Sequence, residues 1–470
     1  MEDYVTPETN DVPLQAIKIL KKYNIPVTTK IVAEKIRFMR KQNRMDVISA
    51  VKNFCNVGFH TDTHSRHPVV YEYIADLDVA KGSKEIERQE RAGLEELKNT
   101  FGYVPSCFGH AGLQYAPHYY PFMKRNGIQV YMDSTDLVNI DDSPYWYCGV
   151  LSLNNTDKNY IRFDRTFEDP EGSEKLKARF KDIHDRLAKS GGAISILWHP
   201  HTGINKVYWD AINFADGTNT PKGKYIQPEQ YSAEIKERAL KDFESLIEFG
   251  SSFKDVRFIS AADAARIYRR SLDLKLGAAE IKKIASTISK SNDISYIRLG
   301  NEYVSPAQEF CALVNFAAAY SKTGKIPKWT AVSEPLGPMS PFESRIGSSK
   351  LFLKDLFRAS EKVSKSMGST GIMPSSIKVG SDSELEPSDF LATLAELVLI
   401  LLSKRKTIGD SIPPRRAKMV LGEKYVSDSA FKKACEWPIL PRGFSAPKVF
   451  EQTKLQAWTL VPAIAKSAQS

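Results

Sequence analysis

Histidine is missing from more than half of this 470-residue chain, for none occurs after His201. All eight, His60, His64, His67, His110, His118, His184, His199 and His201, fall within about a third of the sequence. Core histidines satisfied one by one would scatter more evenly. Cysteine is also scarce. Cys55, Cys107, Cys148, Cys311 and Cys435 are odd in number and show no C-x-x-C spacing. That argues against a disulfide framework and for reduced thiols in a cytoplasm-like compartment. No signal peptide follows Met1, which leads at once into Glu2-Asp3-Tyr4; only residues upstream of Met1 would reopen export. No apolar run is long enough for a transmembrane segment. The longest, Phe390 to Leu402, contains Glu396 and reads as a buried core helix. The first 270 residues also lack a surplus of charge of either sign. Lys and Arg total 66 and Asp and Glu 56, of which 28 and 19 lie from Ser271 onward, leaving 38 against 37 before it. The basic surplus therefore belongs to the C-terminal part. A solvated lysine-rich surface is its simplest reading, and an anionic polymer or surface is the partner such a face could take.

What is present describes a globular protein: 42% hydrophobic and 26% charged residues. The length requires two or three domains. The pattern after the N-terminus alternates. A helix over Val12 to Tyr23 precedes a β-branched strand, Pro26 to Val32; helices run to about Asn53, and Val57 to Phe59 is the next strand. Further strands are expected at Gly127–Asp133, Tyr147–Leu151, Tyr160–Phe163, Gly191–Trp198 and Val256–Ser260, with helices between them. Such β/α order implies a parallel sheet or barrel whose sites lie at the strand C-terminal ends.

The chemistry concentrates in Asn56 to Pro68, a short buried strand running into a polar loop. His60 and His64 are four apart, so a helical turn there would place both imidazoles on one side. Neutral imidazole is the commonest protein ligand of zinc and related metals. His199 follows the apolar run Ala193 to Trp198 directly, a position more often functional than structural. Residues 202–228, rich in Gly, Asn, Thr, Trp and Tyr, are long enough to form a substrate wall or lid.

His60-Thr61-Asp62-Thr63-His64 resembles the H-[S/T]-x-x-H metal motif of the polysaccharide-deacetylase superfamily, the NodB-homology fold. Other segments extend the resemblance over about residues 1–270. Glu2-Asp3 stands where the family has an acidic pair, although the strand that leads into that pair is missing ahead of Met1. Ser106 to Pro117 stands where the family has R-P-P-Y-G, with Gly109 in the arginine's place and Gly112 in the tyrosine's. Asp133 ends its strand as a family aspartate does, and His199 matches the histidine of the fifth motif.

The resemblance implies a distorted parallel (β/α) barrel over residues 1–270, its first strand absent or upstream. A mostly helical, basic domain would follow over 271–470. It implies that Asp3, His60 and His64 bind a divalent metal, zinc first and iron, manganese or cobalt as alternatives. Glu2 would activate water, His199 would protonate the leaving amine, and Asp133 would orient His199 or Glu2. The loop's Gly109 departs from the arginine that normally orients the acid–base carboxylate; His110 could take part of that role. The implied activity is metal-dependent hydrolysis of an amide, removing N-acetyl groups from a carbohydrate. Alternatives are an allantoinase-like or cyclic-imide C–N hydrolase acting on a small amide, or an inactive barrel with a polymer-binding C-terminal domain. In residues 271–470, Gly324–Pro327, Gly371–Pro374 and Gly409–Pro413 suggest a divergent repeat, weakly similar to the pseudomurein-binding type.

Overall fold

The computed structural model of the chain describes residues 1–189, 191–403 and 409–465. Eight strands occupy its first part: β1 (Thr28–Ile31), β2 (Asn56–Phe59), β3 (Cys107–Phe108), β4 (Val130–Ser134), β5 (Tyr145–Tyr147), β6 (Val150–Asn155), β7 (Tyr160–Arg162) and β8 (Ser195–Leu197). β1, β2, β3, β4 and β6 pair in that order, all parallel. β5 folds back antiparallel on β6, and Val461–Pro462 adds an antiparallel edge beyond it. β7 and β8 form a separate parallel pair. The protein is thus a mixed α/β fold with a central parallel sheet. Among the described residues the ladder is interrupted between β6 and β7 and again between β8 and β1.

Local chemistry explains the boundaries. The helix Val79–Phe101 starts at Asp78, whose carboxylate accepts from Lys81 N, and stops at Gly102 in the left-handed region. Ile86, Leu94, Leu97 and Phe101 bury its inner face. Two strand expectations change. Tyr147–Leu151 is not one strand but the turn of the β5–β6 hairpin, bent at Cys148 and Gly149, both at positive φ. Val256–Ser260 makes no strand ladder; it leads into the helix Ala261–Ile267, whose first N–H groups bond to Thr28 Oγ1 and Asn56 Oδ1.

The second core is a duplication. β9 (Leu274–Leu276) leads into the helix Ala278–Ser289, with β10 (Asp293–Ile294) after it. The hairpin β11 (Ile297–Leu299) and β12 (Glu302–Val304) follows, then the helix Pro306–Thr323 and β13 (Thr330–Val332), which returns antiparallel to β9. The order repeats as β14 (Leu351–Phe352), the helix Leu353–Thr370, the hairpin β15 (Ile377–Val379) and β16 (Ser383–Leu385), the helix Pro387–Leu402 and β17 (Ser411–Ile412), antiparallel to β14. Both hairpins turn on a glycine at positive φ, Gly300 and Gly380. β18 (Lys418–Met419) then pairs with β10. Ala278–Ser289 packs chiefly on Pro387–Leu402, and Leu353–Thr370 on Pro306–Thr323, so each copy's first helix rests on the other copy's second.

Two copies, not three, therefore make the repeat. Gly324–Pro327 and Gly409–Pro413 follow equivalent helices, whereas Gly371–Pro374 follows a first helix. Pro387–Leu402, the long apolar run, is buried in this core. No helix among the described residues is long and apolar enough to cross a membrane. The chain then returns to the first core: Leu421, Phe431, Trp437, Val449 and Leu460 pack with Phe59, Phe108 and Tyr131.

Candidate metal centre

β2 delivers His60 at its C-terminal end. The chain beyond does not form the expected helical turn. Thr61 and His64 both take positive φ, 66° and 62°, and fold the loop back on itself. Thr61 Oγ1 accepts from the His64 N–H at 3.0 Å, and Tyr4 Oη donates to the Thr63 carbonyl at 2.8 Å. The imidazoles end 5.0 Å apart, centroid to centroid. Beneath the loop, Gly93 lets the helix Val79–Phe101 approach closely, since a Cβ there would lie 2.8 Å from Asp62 Cα.

Glu2 faces this pair. Its Oε2 lies 3.4 Å from His60 Nε2 and 3.3 Å from His64 Nε2. The ligand atoms of Glu2, His60 and His64 all fall within 4.8 Å of one another, and all three residues are buried. The outer nitrogens are already engaged. His60 Nδ1 lies 2.8 Å from the Gly109 carbonyl, and His64 Nδ1 lies 2.6 Å from Ser65 Oγ, which donates to Asp210 Oδ2 at 2.9 Å. A proton on His60 Nδ1, facing that carbonyl, leaves the lone pair on Nε2. Burial lowers the His60 pKa to about 4 against the opposing pull of Glu2, so its ring is neutral near pH 7. A lone pair then faces a carboxylate oxygen, an arrangement that a cation between them satisfies. Histidines bound outward to a carbonyl and to a hydroxyl–carboxylate relay have the usual surroundings of metal ligands.

Asp3 does not join this group. Its Oδ1 accepts from Val5 N at 2.7 Å and Thr6 N at 3.0 Å, and Oδ2 accepts from Asn205 Nδ2 at 2.8 Å. It holds the turn after Glu2, so the carboxylate brought to the histidines is Glu2, not Asp3. Asp133 Oδ2 lies 2.8 Å from Lys30 Nζ and 3.8 Å from His110 Nδ1. Burial opposes ionisation of Asp133, but Lys30, His110 and His60 outweigh it and hold its pKa at about 2.

The two glycines of the altered loop are spaces filled from elsewhere. A Cβ on Gly109 would sit 2.4 Å from Lys30 Nζ and 2.5 Å from Asp133 Oδ2; one on Gly112 would sit 2.2 Å from Trp437 Cε2. Lys30 thus brings a cation to the side chain-free position at Gly109. Trp437 brings a ring to Gly112, with its centroid 6.1 Å from that of His64. His110 is buried and bonds to Tyr131 Oη.

His199 pairs with Asp164, a residue the sequence reading missed: Nδ1 to Oδ2 is 2.6 Å, and His199 N donates to Oδ1 at 2.8 Å. Arg162 Nε also donates to Asp164 Oδ2, at 2.8 Å. Burial opposes protonation of His199, but the Asp164 and Glu2 carboxylates outweigh it and raise its pKa. The Asp164 pKa is held far below the ordinary range: burial would raise it, but the charges of His199 and Arg162 prevail. His201 touches the centre directly, its Nε2 2.9 Å from Glu2 Oε1. The 202–228 segment contributes Asn205, Tyr208 and Asp210. Tyr208 meets both His199 and His201 edge to face, with ring centroids 6.0 Å and 5.1 Å away.

No family model matches the sequence. No curated protein matches it either. Solved structures align with it at low similarity. A probable polysaccharide deacetylase from Pseudomonas aeruginosa PAO1 aligns over 54% of this chain and 71% of its own, at 18% identity and TM-score 0.36. Puue allantoinase aligns over the same shares at 19% identity and TM-score 0.36. A GH57-type branching enzyme from Pyrococcus horikoshii covers 86% of this chain and 93% of its own at 10% identity and TM-score 0.38. The likeness is distant in every case.

Proposed function

We propose that the protein is a metal-dependent hydrolase of non-peptide amide bonds, removing an N-acetyl group from a sugar. One observation carries the metal: three buried ligand atoms within 4.8 Å, backed by outward bonds from both histidines. Glu2, His60 and His64 would hold a divalent ion, with zinc the first candidate for two imidazoles and a carboxylate. When bound, such an ion polarises a carbonyl oxygen and makes water a better nucleophile at neutral pH.

The chain's own groups supply the rest. Glu2 stays ionised: burial alone would raise its pKa, but the charges of His64 and His199 and the hydrogen bond from His201 lower it well below the ordinary value. An ionised carboxylate with Oε2 toward the two imidazoles and Oε1 2.9 Å from His201 Nε2 is suited to hold the ion. His199 is 27% exposed on its side chain while Asp164 is buried behind it. Its raised pKa keeps a proton available for a leaving nitrogen. Asp164, anchored by Arg162, orients the ring.

A second reading, hydrolysis of a cyclic amide or imide, is favoured by Lys30 and Gly109, which replace the arginine of the resembling motif with a differently placed cation. Product analysis separates the two. Acetate release from N-acetylated sugars supports the first, and ring opening without acetate supports the second. In either case His199→Ala should retain metal and lose most turnover. Unchanged turnover in that variant would remove His199 from the reaction.

A further inference from the structure

Trp437 reaches the metal centre from near the far end of the chain. Its benzo ring lies against the bare backbone of Gly112: a Cβ there would come 2.2 Å from Trp437 Cε2, 2.5 Å from Cζ2 and 2.6 Å from Cδ2. The same indole meets the His64 imidazole edge to face, with centroids 6.1 Å apart and planes at 80°. Trp209 flanks His64 as well, at 5.8 Å and 48°. Both indoles are buried, and so is His64.

Ser65 Oγ holds His64 at Nδ1. A bond to one ring nitrogen fixes a point of the imidazole but not its plane; packing on the ring faces and edges fixes the plane. The two indoles that do so belong to different segments, and backbone bonds tie those segments together. Asp216 N donates to Pro438 O at 3.0 Å, and Gly217 N donates to Ile439 O at 3.0 Å. Leu440 N donates to Trp437 O at 2.9 Å, closing a turn that Pro438 stiffens. The helix Trp209–Asn213, just ahead of Asp216, also carries Asp210, the end of the relay from His64 through Ser65. Both restraints on His64, the ring plane and the relay, therefore lean on the turn at Trp437.

We propose that Trp437 is a positioning residue for His64, and that docking of its turn on the first core is coupled to metal binding. The inference rests on the metal reading above and extends it to a segment outside residues 1–270. Such coupling is reciprocal: the factor by which the docked indole tightens zinc is the factor by which zinc tightens the docking. Loss of an outer restraint on a metal-bound histidine weakens the metal by about 10–100-fold. A purely structural indole would lower stability without moving zinc affinity in the folded protein.

The test uses the full chain and two readouts. Zinc affinity is measured by chelator competition for the parent, Trp437→Ala and Trp437→Phe, with circular dichroism confirming that each is folded. Hydrogen–deuterium exchange of the Asp216, Gly217 and Leu440 amides is followed in the parent with and without zinc, because these three N–H groups bond to or within the turn. Trp437→Ala should bind zinc about tenfold more weakly or worse, and Trp437→Phe, which keeps a ring, within about threefold of the parent. Zinc should slow exchange at all three amides in the parent. Parental zinc affinity in folded Trp437→Ala would overturn the proposal. So would exchange unmoved by zinc in the parent, a result that holds even where the alanine variant does not fold. A parent that takes up no zinc would overturn the metal reading itself, and this inference with it.

Discussion

Removing the Lys30 cation while keeping its aliphatic bulk, as Lys30→Met does, should destabilise the fold strongly. Lys30 Nζ donates to Asp133 Oδ2 at 2.8 Å and to the Met132 carbonyl at 3.0 Å, with the two side chains only 13% and 10% exposed. Asp133 falls from an ordinary value of 3.8 to about 2, which corresponds to about 2 kcal/mol favouring the charged form in the fold. Because the folded pKa is the lower one, this stabilisation is present above the unfolded value and is lost as pH falls through about 2. Without Lys30 the carboxylate becomes a buried charge without its ion pair, a change of about 3–5 kcal/mol. Urea unfolding of the parent, Lys30→Met, Asp133→Asn and the double variant measures it. The Lys30→Met deficit should be widest at neutral pH and narrow as pH approaches 2, and the double variant should recover much of it. A Lys30→Met deficit under about 1 kcal/mol at neutral pH, or a double variant whose loss is the simple sum, would refute the reasoning.

Two further outcomes follow from groups around the metal loop. Burial raises the Glu90 pKa to about 7 although it accepts from Asp62 N at 2.6 Å. Its contribution is therefore fully present below the unfolded value and is lost as pH rises through about 7. Glu90→Gln should remove that loss and be the more stable protein at alkaline pH by about 3 kcal/mol, as read by denaturant titration across pH. Ser65→Ala removes the hydroxyl that joins His64 to Asp210, leaving only their direct 3.6 Å approach, and metal affinity measured by competition with a chelator should fall about tenfold or more.

The alternating order of strands and helices was legible because buried parallel strands are continuous apolar runs and the intervening helices keep their period. His60, His64 and His199 stood out for the same reason, each closing an apolar run or the loop after it. Asp164 could have been found by that rule, since it stands two residues past the end of β7. Lys30 carried a signal too, a lysine inside a β-branched strand that is inward-facing in a β/α fold. The choice between Glu2 and Asp3 was not legible: it turns on which carboxylate the N–H groups of Val5 and Thr6 and the Asn205 amide capture. Trp437 meets Gly112 across more than three hundred residues of chain, a contact no local pattern encodes. The C-terminal duplication hid behind unequal spacings, because its copies share the order of elements and exchange helices while their loops differ in length.

Metal content tests the account most directly, because it separates the two neighbouring carboxylates. Each variant is purified, checked for native circular dichroism, dialysed against divalent zinc and analysed for bound metal. The account predicts one ion per chain in the parent and in folded Asp3→Asn, and stoichiometric binding lost in Glu2→Gln, His60→Ala and His64→Ala. An undiminished ion in folded His64→Ala, or one kept by Glu2→Gln and lost from Asp3→Asn, would contradict it.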